Sequence, residues 1–205
     1  MSCSSFRIDT SDDLVLDASV IINLHASKHG AKVIAVIPHD VWVPQIVVEE
    51  LEHETSRKNG EFDFLQTLLA SGFIRVAHLD EAEYEIFQNL TSTSPSLDDG
   101  EAATIAVAVV RRFLPVIDER RGRARATALI GNRSPAWSID LLRHPTVTTT
   151  LGCALAVDVL YHALRFGRMR IPSESADAVI SMLGVERAQN CTCLPGYRDR
   201  FARSL

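Results

Sequence analysis

The hydrophobic and polar positions of this chain predict short buried strands that alternate with amphipathic helices. Runs of apolar, largely branched residues predict strands at Leu14–Leu16, at Val41–Pro44 and within residues 72–79. Pro44 then suits the start of a helix, since QIVVEELEHE from Gln45 places its apolar residues on one face. Residues 32–37 fit either a strand or a helix by pattern alone.

The second half of the chain continues this alternation. Asp98 and Glu101 have the spacing of a capping box ahead of a long apolar stripe, which predicts a helix start. LPVID follows as a strand that ends on Asp118, with Pro115 expected at the first strand position. TVTTT at residues 146–150 predicts a further strand before a long helix. Together the elements predict an α/β protein, with helices on both faces of a mostly parallel sheet.

Length and composition fit one soluble domain with extensions. The chain has 205 residues, of which 46% are apolar and 23% charged, so it carries enough apolar surface for a full core. We expect a polar N-terminal extension at residues 1–12, one domain at 13–185 and a C-terminal tail at 186–205. The turn-rich residues 131–145 interrupt the βα rhythm and predict an insertion loop.

Charge, cysteines and hydropathy restrict the location and the partners. A net charge of −5 means that a nucleic-acid partner would need a local basic patch. The four cysteines have neither a disulfide-framework nor a zinc-knuckle spacing, which favours a reducing compartment. The sequence has no apolar signal core and no run long enough to span a membrane. We therefore expect a cytoplasmic protein with no membrane partner.

Carboxylates follow the predicted strands at one edge of the sheet. Asp17 and Asp118 come directly after buried strands, while Glu101 and either Glu49 or Glu50 lie early in helices that follow strands. Ligand groups collect at this carboxyl edge of parallel sheets. Because clustered carboxylates repel one another, their natural partner is a hard divalent cation, Mg²⁺ or Mn²⁺, which prefers oxygen ligands.

Each acid also has an ordinary structural explanation. Asp17 would cap the next helix, and Glu101 would complete the capping box of Asp98. The acidic run at residues 49–54 is typical of a solvated helix face, and DERRGRAR from Asp118 would form a salt-bridged surface turn. Four acids at equivalent points of the βα alternation nevertheless favour a shared site.

Four segments of the chain resemble the PIN domain family in order. LVLDASVIINL resembles its opening strand with D-x-S, VPQIVVEEL its second acidic motif, LDDGEAATIAVA its third and LPVIDERRGRARATA its fourth. The last two resemble a subgroup with a G-E-A helix start and a D-E-x-x-G-R segment. This resemblance implies a three-layer α/β/α fold and metal-dependent nuclease activity.

Residue roles follow from the same resemblance. It implies that Asp17, Glu50, Glu101 and Asp118 are the catalytic quartet and hold one or two Mg²⁺ or Mn²⁺ ions. The supporting residues would be Ser19, which orients Asp17 or a metal-bound water, together with Asp98, Asp99 and Glu119. A basic run after Asp118 would bind the phosphates of the substrate or pair with nearby acids on a solvated face; it consists of Arg120, Arg121, Arg123 and Arg125.

Three classes of function remain from the sequence. The leading hypothesis is a ribonuclease, the toxin of a toxin-antitoxin pair, with an antitoxin as protein partner and a homodimer as the expected assembly. A second is a PIN-like RNA- or protein-binding module without turnover. The third is another magnesium-dependent phosphoryl-transfer fold; a haloacid-dehalogenase-like phosphatase, however, expects an aspartate where this chain has Ser19, and the acidic pair and late lysine of a receiver domain are not identified.

Overall fold

A parallel sheet of four strands forms the centre of the molecule. The computed structural model describes Ile8 and residues 12–131 and 133–201. The strands are β1 (Leu14–Leu16), β2 (Val41–Pro44), β3 (Arg75–Ala77) and β4 (Leu114–Val116), in the order β3-β2-β1-β4. Each neighbouring pair is parallel. The carboxyl ends of the strands therefore meet at one edge, as the sequence predicted.

Helices occupy the connections and the C-terminal part of the described chain. Their bounds are α1 (Ala18–Ala26), α2 (Gly30–Val36), α3 (Gln45–Leu51), α4 (Glu54–Asn59), α5 (Glu61–Ala70), α6 (Glu81–Ser92), α7 (Asp99–Arg111), α8 (Arg120–Ile130), α9 (Ser138–Leu142), α10 (Pro145–Leu151), α11 (Cys153–Arg165), α12 (Ala176–Leu183), α13 (Val185–Ala188) and α14 (Tyr197–Phe201). The ambiguous residues 32–37 belong mainly to α2. No helix in the described ranges is long and apolar enough to cross a membrane.

The two faces of β1 divide the core into two parts. Leu14 and Leu16 belong to the large cluster that also takes buried residues from α1, α5 and α11. Val15 points to the other face and packs with Val107 and Ala108 of α7. Helices thus cover both faces of the sheet, and the predicted three-layer α/β fold is confirmed.

Pro115 does not have the predicted position at the first residue of its strand. It is the middle residue of β4, opposite Val15. The bonds to β1 use its neighbours, because Leu114 donates to Asp13 O at 2.8 Å and Val116 O accepts from Asp17 N. The nitrogen of Pro115 therefore faces the outer edge, where its missing N–H removes no bond to β1.

The predicted strand TVTTT is wrong, since these residues form most of α10. Pro145 occupies the first turn, where a missing N–H costs nothing, and His144 caps the helix by accepting from Thr146 N at 3.3 Å. Only Val147 of this helix is buried. The helix start at His144 and Pro145 and the burial of Val147 outweigh the strand preference of threonine, because that preference is weak.

The segments expected to be a loop and a tail contribute to the packed structure. Within residues 131–145, Ala136 bridges to β4 and exchanges backbone hydrogen bonds with Pro115 and Ile117. In the C-terminal segment, Cys191 and Leu194 are buried in the main core. Most of the expected N-terminal extension, and residues 202–205 of the tail, lie outside the described residues. The predicted domain boundaries stay predictions.

Candidate active site

Asp17 joins the carboxyl end of β1 to the start of α1. It is the N-cap of α1, and its Oδ2 accepts hydrogen bonds from Ser19 N at 3.3 Å and from Ser19 Oγ at 2.6 Å. Its side chain is buried. Burial raises the pKa of Asp17 to about 6 against the lowering effect of Ser19, and the nearby charge of Asp98 raises it further.

Glu50 brings a second carboxylate to this edge from α3. The residue is exposed overall, but its carboxylate lies against the first turn of α7, because a Cβ added to Gly100 would stand 2.3 Å from Glu50 Oε2. Desolvation is the largest cause that raises the pKa of Glu50 to about 7, followed by the charges of Asp17, Asp98 and Asp99. Gly100 is thus the residue that allows this close approach.

Glu101 is the most perturbed of the site acids. Its backbone N–H donates to Asp98 Oδ1 at 2.8 Å, so Asp98 caps α7 as predicted. The Glu101 carboxylate instead lies against α8, where a Cβ on Gly122 would stand 2.5 Å from its Oε1. This buried Oε1 has no hydrogen-bond partner among the described residues.

The electrostatic surroundings of Glu101 are mostly negative. Burial raises its pKa to about 8, and the charges of Asp98, Asp17 and Glu119 add to that effect. Arg121 partly opposes it. Asp17, Glu50 and Glu101 therefore form one interacting group of carboxyls, which we call the acidic cluster.

Asp118 lies at the carboxyl end of β4 and is held by neutral donors. Asn23 Nδ2 donates to its Oδ2 at 2.7 Å, and Ser138 donates from its backbone N at 2.8 Å and from its Oγ at 2.6 Å. Burial raises the pKa of Asp118 to about 6, although Ser138, Arg123 and Asn23 act in the opposite direction. Both oxygens of Asp118 thus have protein partners.

Two of these partners, Asn23 and Ser138, were missed by sequence reasoning. Asn23 lies in the second turn of α1, the helix that Asp17 caps. Ser138 begins α9, within the segment interpreted as an insertion. A polar residue inside the apolar stretch VIINL was the available signal for Asn23, whereas Ser138 had none, since its contact with Asp118 spans 20 residues.

The four arginines after Asp118 have different surroundings. Arg120 and Arg121 are exposed, and Arg121 donates to Ser96 O close to the acidic cluster. Arg125 lines a groove on the α6 side of α8. Arg123 is buried, and its guanidinium donates to the carbonyls of the chain around β4, namely Ile117, Pro135 and Ala136. A phosphate-binding role for these arginines stays a prediction, best suited to Arg120 and Arg121.

The acidic cluster fits a hard divalent cation by charge and by donor type. It offers carboxylate oxygens, including the unpartnered Oε1 of Glu101, and ionising all three carboxyls in a buried edge is unfavourable without a cation. Across residues 12–131 and 133–201, however, no three carboxylate, imidazole or thiol groups are close enough to form a ready-made metal site. Binding a cation would therefore require side-chain rotation, most easily at the long side chains of Glu50 and Glu101.

Comparison with known proteins gives one family match. A family model described as a PIN domain matches residues 13–130, which run from the start of β1 through α8. The matched range includes all four predicted quartet acids and Asn23, whereas Ser138 lies beyond it. No curated protein matches this chain.

Proposed function

Because this chain belongs to the PIN domain family, whose members are generally nucleases, we propose that it is a metal-dependent ribonuclease. The reaction is hydrolysis of an RNA phosphodiester, in which water attacks phosphorus and the bond to the leaving sugar oxygen breaks. We further propose that it is the toxin of a toxin-antitoxin pair and acts as a homodimer. A short neighbouring gene whose product binds the chain would support that finer assignment.

The observation that carries this proposal is the unpartnered Glu101 Oε1 inside the acidic cluster. A buried carboxylate without a partner costs free energy of folding, and it persists where another ligand satisfies it. The raised pKa values of Asp17 and Glu50 point to the same deficit of positive charge. Mg²⁺ or Mn²⁺ would remove that deficit with oxygen ligands.

In this proposal Asp17, Glu50 and Glu101 would hold the cation, and the other named residues would prepare the site. Asp118, whose two oxygens already accept from Asn23 and Ser138, stays the predicted fourth ligand. When bound, a divalent cation lowers the pKa of water and neutralises developing charge on the phosphate. Ser19 fixes the rotamer of Asp17 through two hydrogen bonds. Asn23 and Ser138 hold the buried carboxylate of Asp118 at the carboxyl end of β4.

The basic residues at the rim of the acidic cluster would orient the substrate. Arg120 and Arg121 at the start of α8 are exposed and suit contacts with phosphate oxygens. Arg121 interacts electrostatically with Glu101, so a phosphate held there would lie next to the acidic cluster. Asp98 and Asp99 add negative charge around the cation, and Glu119 does so on the α8 side.

The decisive experiment measures cleavage of a labelled single-stranded RNA with Mg²⁺, with Mn²⁺ and with EDTA. We expect cleavage only with metal, and we expect Asp17→Asn and Glu101→Gln each to lower it about a thousandfold, since metal assistance supplies several kcal/mol. Glu81→Gln, a change of an exposed glutamate in the first turn of α6, is the matched control.

Two results would contradict the proposal. Cleavage that survives both acidic-cluster substitutions would come from a contaminant or another site. A folded protein that binds RNA without cleaving it in either metal would instead favour the binding-module function.

A further inference from the structure

A groove with basic and aromatic walls lies at the end of α1 opposite Asp17. Its lining includes Ile22, His25, Lys28, Lys32, Phe64 and Phe166, and we call it the basic-aromatic groove. Phe166 is 57% exposed, and its ring centroid lies 5.6 Å from that of His162. Two exposed arginines, Arg165 and Arg168, flank this ring in the segment RFGR.

Lys28 and Phe166 are arranged as a cation beside an aromatic platform. Lys28 Nζ lies 4.9 Å from the centroid of the Phe166 ring. Lys28 also has φ of +65°, a left-handed backbone in which a glycine would avoid strain. The chain therefore keeps a lysine side chain at a position where its backbone favours glycine.

The segment that carries Phe166 continues directly to the acidic side of the molecule. Gly167 packs against Asn23, since a Cβ there would stand 2.8 Å from Asn23 Oδ1, and Asn23 holds Asp118. Three residues after Gly167, Arg170 pairs with Glu119. The segment that carries Phe166 thus links the basic-aromatic groove to Asp118, through Asn23, and to Glu119 before α8.

We propose that the basic-aromatic groove binds a nucleotide of a single-stranded RNA outside the cleavage position. A base would pack against the exposed part of the Phe166 ring next to the Lys28 ammonium, while Lys28, Lys32 and Arg168 would contact phosphates. Glu61 also lines the groove, but it is buried and accepts from Asn59. This inference rests on the proposed ribonuclease function and names how the same substrate is held.

The separation between the acidic cluster and the basic-aromatic groove suits one RNA strand that binds at both. Asp17 starts α1 and Ala26 ends it in the groove wall, a separation of about 13 Å by helix rise. Proteins that bind single strands cover sites of ~4–16 nucleotides with aromatic platforms and basic grooves. An acidic chain needs such a local patch, because its net charge of −5 repels RNA.

The test measures binding of a fluorescent 12-nucleotide RNA in EDTA, where cleavage does not occur, by anisotropy. The double variant Phe166→Ala with Lys28→Gly removes the ring and the charge while suiting the left-handed backbone. The matched control, Phe73→Ala with Arg75→Ala, removes one exposed ring and one exposed cation near β3. Thermal unfolding verifies that both variants are folded.

We expect the groove variant to bind RNA about tenfold or more weakly, and the control to stay within about twofold of the unmodified protein. The salt dependence should also weaken by about 0.7 in logarithmic slope for the lost phosphate contact. Equal affinities for the groove variant and the unmodified protein would overturn the inference, as would an equal loss in the control.

Cleavage of the same RNA separates the two proposals. If metal produces no cleavage while the groove variant still loses RNA affinity, the ribonuclease function fails and the groove remains an RNA site. If metal-dependent cleavage occurs and the groove variant binds and cleaves the 12-nucleotide RNA normally, the groove inference fails and the ribonuclease function remains.

Discussion

The helices α6 and α7 begin with the same local motif and use it differently. Asp80 accepts from Glu83 N at 2.9 Å, just as Asp98 accepts from Glu101 N at 2.8 Å. Glu83 then completes its capping box at Asp80 N and takes two hydrogen bonds from Arg111. The buried Oε1 of Glu101 accepts neither a capping-box hydrogen bond nor one from an arginine. The carboxylate of Glu83 is satisfied by the protein, whereas Glu101 Oε1 has no partner among the described residues.

The residues that precede the two glutamates differ in burial. Ala82 is exposed in the first turn of α6, whereas Gly100 is buried at the matching position of α7. Gly100 leaves room for the carboxylate of Glu50. The comparison shows that the capping spacing alone does not separate a structural glutamate from a site glutamate. The packing partners that come from distant parts of the chain make that distinction.

The largest expected effect on stability comes from the satisfied motif. Glu83→Gln should destabilise the protein by about 3 kcal/mol, because it leaves Arg111 without its buried charge partner. The melting temperature should fall by about 6–12 °C in a chain of this size. Differential scanning calorimetry measures this, and RNA cleavage by the folded protein at 25 °C should be unchanged. A loss of cleavage without a loss of stability would reverse the assignment of the two motifs.

Exchanging the residues that precede the two glutamates should give a smaller effect. Gly100→Ala should lower cleavage about tenfold, because the new Cβ displaces the Glu50 carboxylate, while helix propensity favours the change by up to about 1 kcal/mol. Ala82→Gly is the matched reverse substitution and should cost stability but no cleavage. The rate constants and the urea midpoints of both variants test this pair. Equal cleavage by both variants would show that the position of Glu50 does not matter.

The smallest effect is the pH dependence of stability without metal. Glu101 has a pKa of about 8 in the folded protein against an ordinary 4.5. Between those values the folded state binds more protons than the unfolded state, so stability contributed by Glu101 is lost as pH rises toward 8. Because solvent screens most of this shift when the side chain rotates, Glu101→Gln should gain only about 1 kcal/mol at pH 8 over the unmodified protein, and nothing near pH 4.

Urea unfolding in EDTA at a series of pH values measures this gain. Glu81→Gln, at an exposed glutamate outside the acidic cluster, is the matched control. A Glu101→Gln curve parallel to the unmodified one would contradict the interpretation of Glu101 as an unsatisfied buried acid.

The sequence predicted those features that depend on neighbouring residues. The strand ends at Asp17 and Asp118, the cap at Asp98 and the three-layer arrangement all follow from local periodicity and spacing. It failed in two places. At α10 the local helix start at His144 and Pro145, with the buried Val147, outweighed the strand preference of the threonines. Pro115 was accepted inside β4 because its nitrogen faces away from β1, which only the pairing of the strands decides.

The residues of the candidate site divide in a similar way, into those that the local sequence indicates and those that depend on distant contacts. Its acids were identified from their places after strands and from the family resemblance. The hydrogen bonds of Asp118 to Asn23 and Ser138 join residues 95 and 20 positions apart, and no local pattern encodes such pairs. Arg123 shows the same limit, since two of its three carbonyl partners depend on how residues 135–136 run beside β4.

The contact of Ala136 with β4 also bears on where this polypeptide tolerates shortening. A chain cut after Ile130, at the end of the family match, would lose two of the three carbonyls that Arg123 uses and the bridge of Ala136 to Val116 in β4. It would leave β4 as an uncovered sheet edge, the kind of surface on which separate chains join into aggregates. Residues 133–138 thus cover the outer edge of β4, and a fragment that folds without aggregating must extend past them.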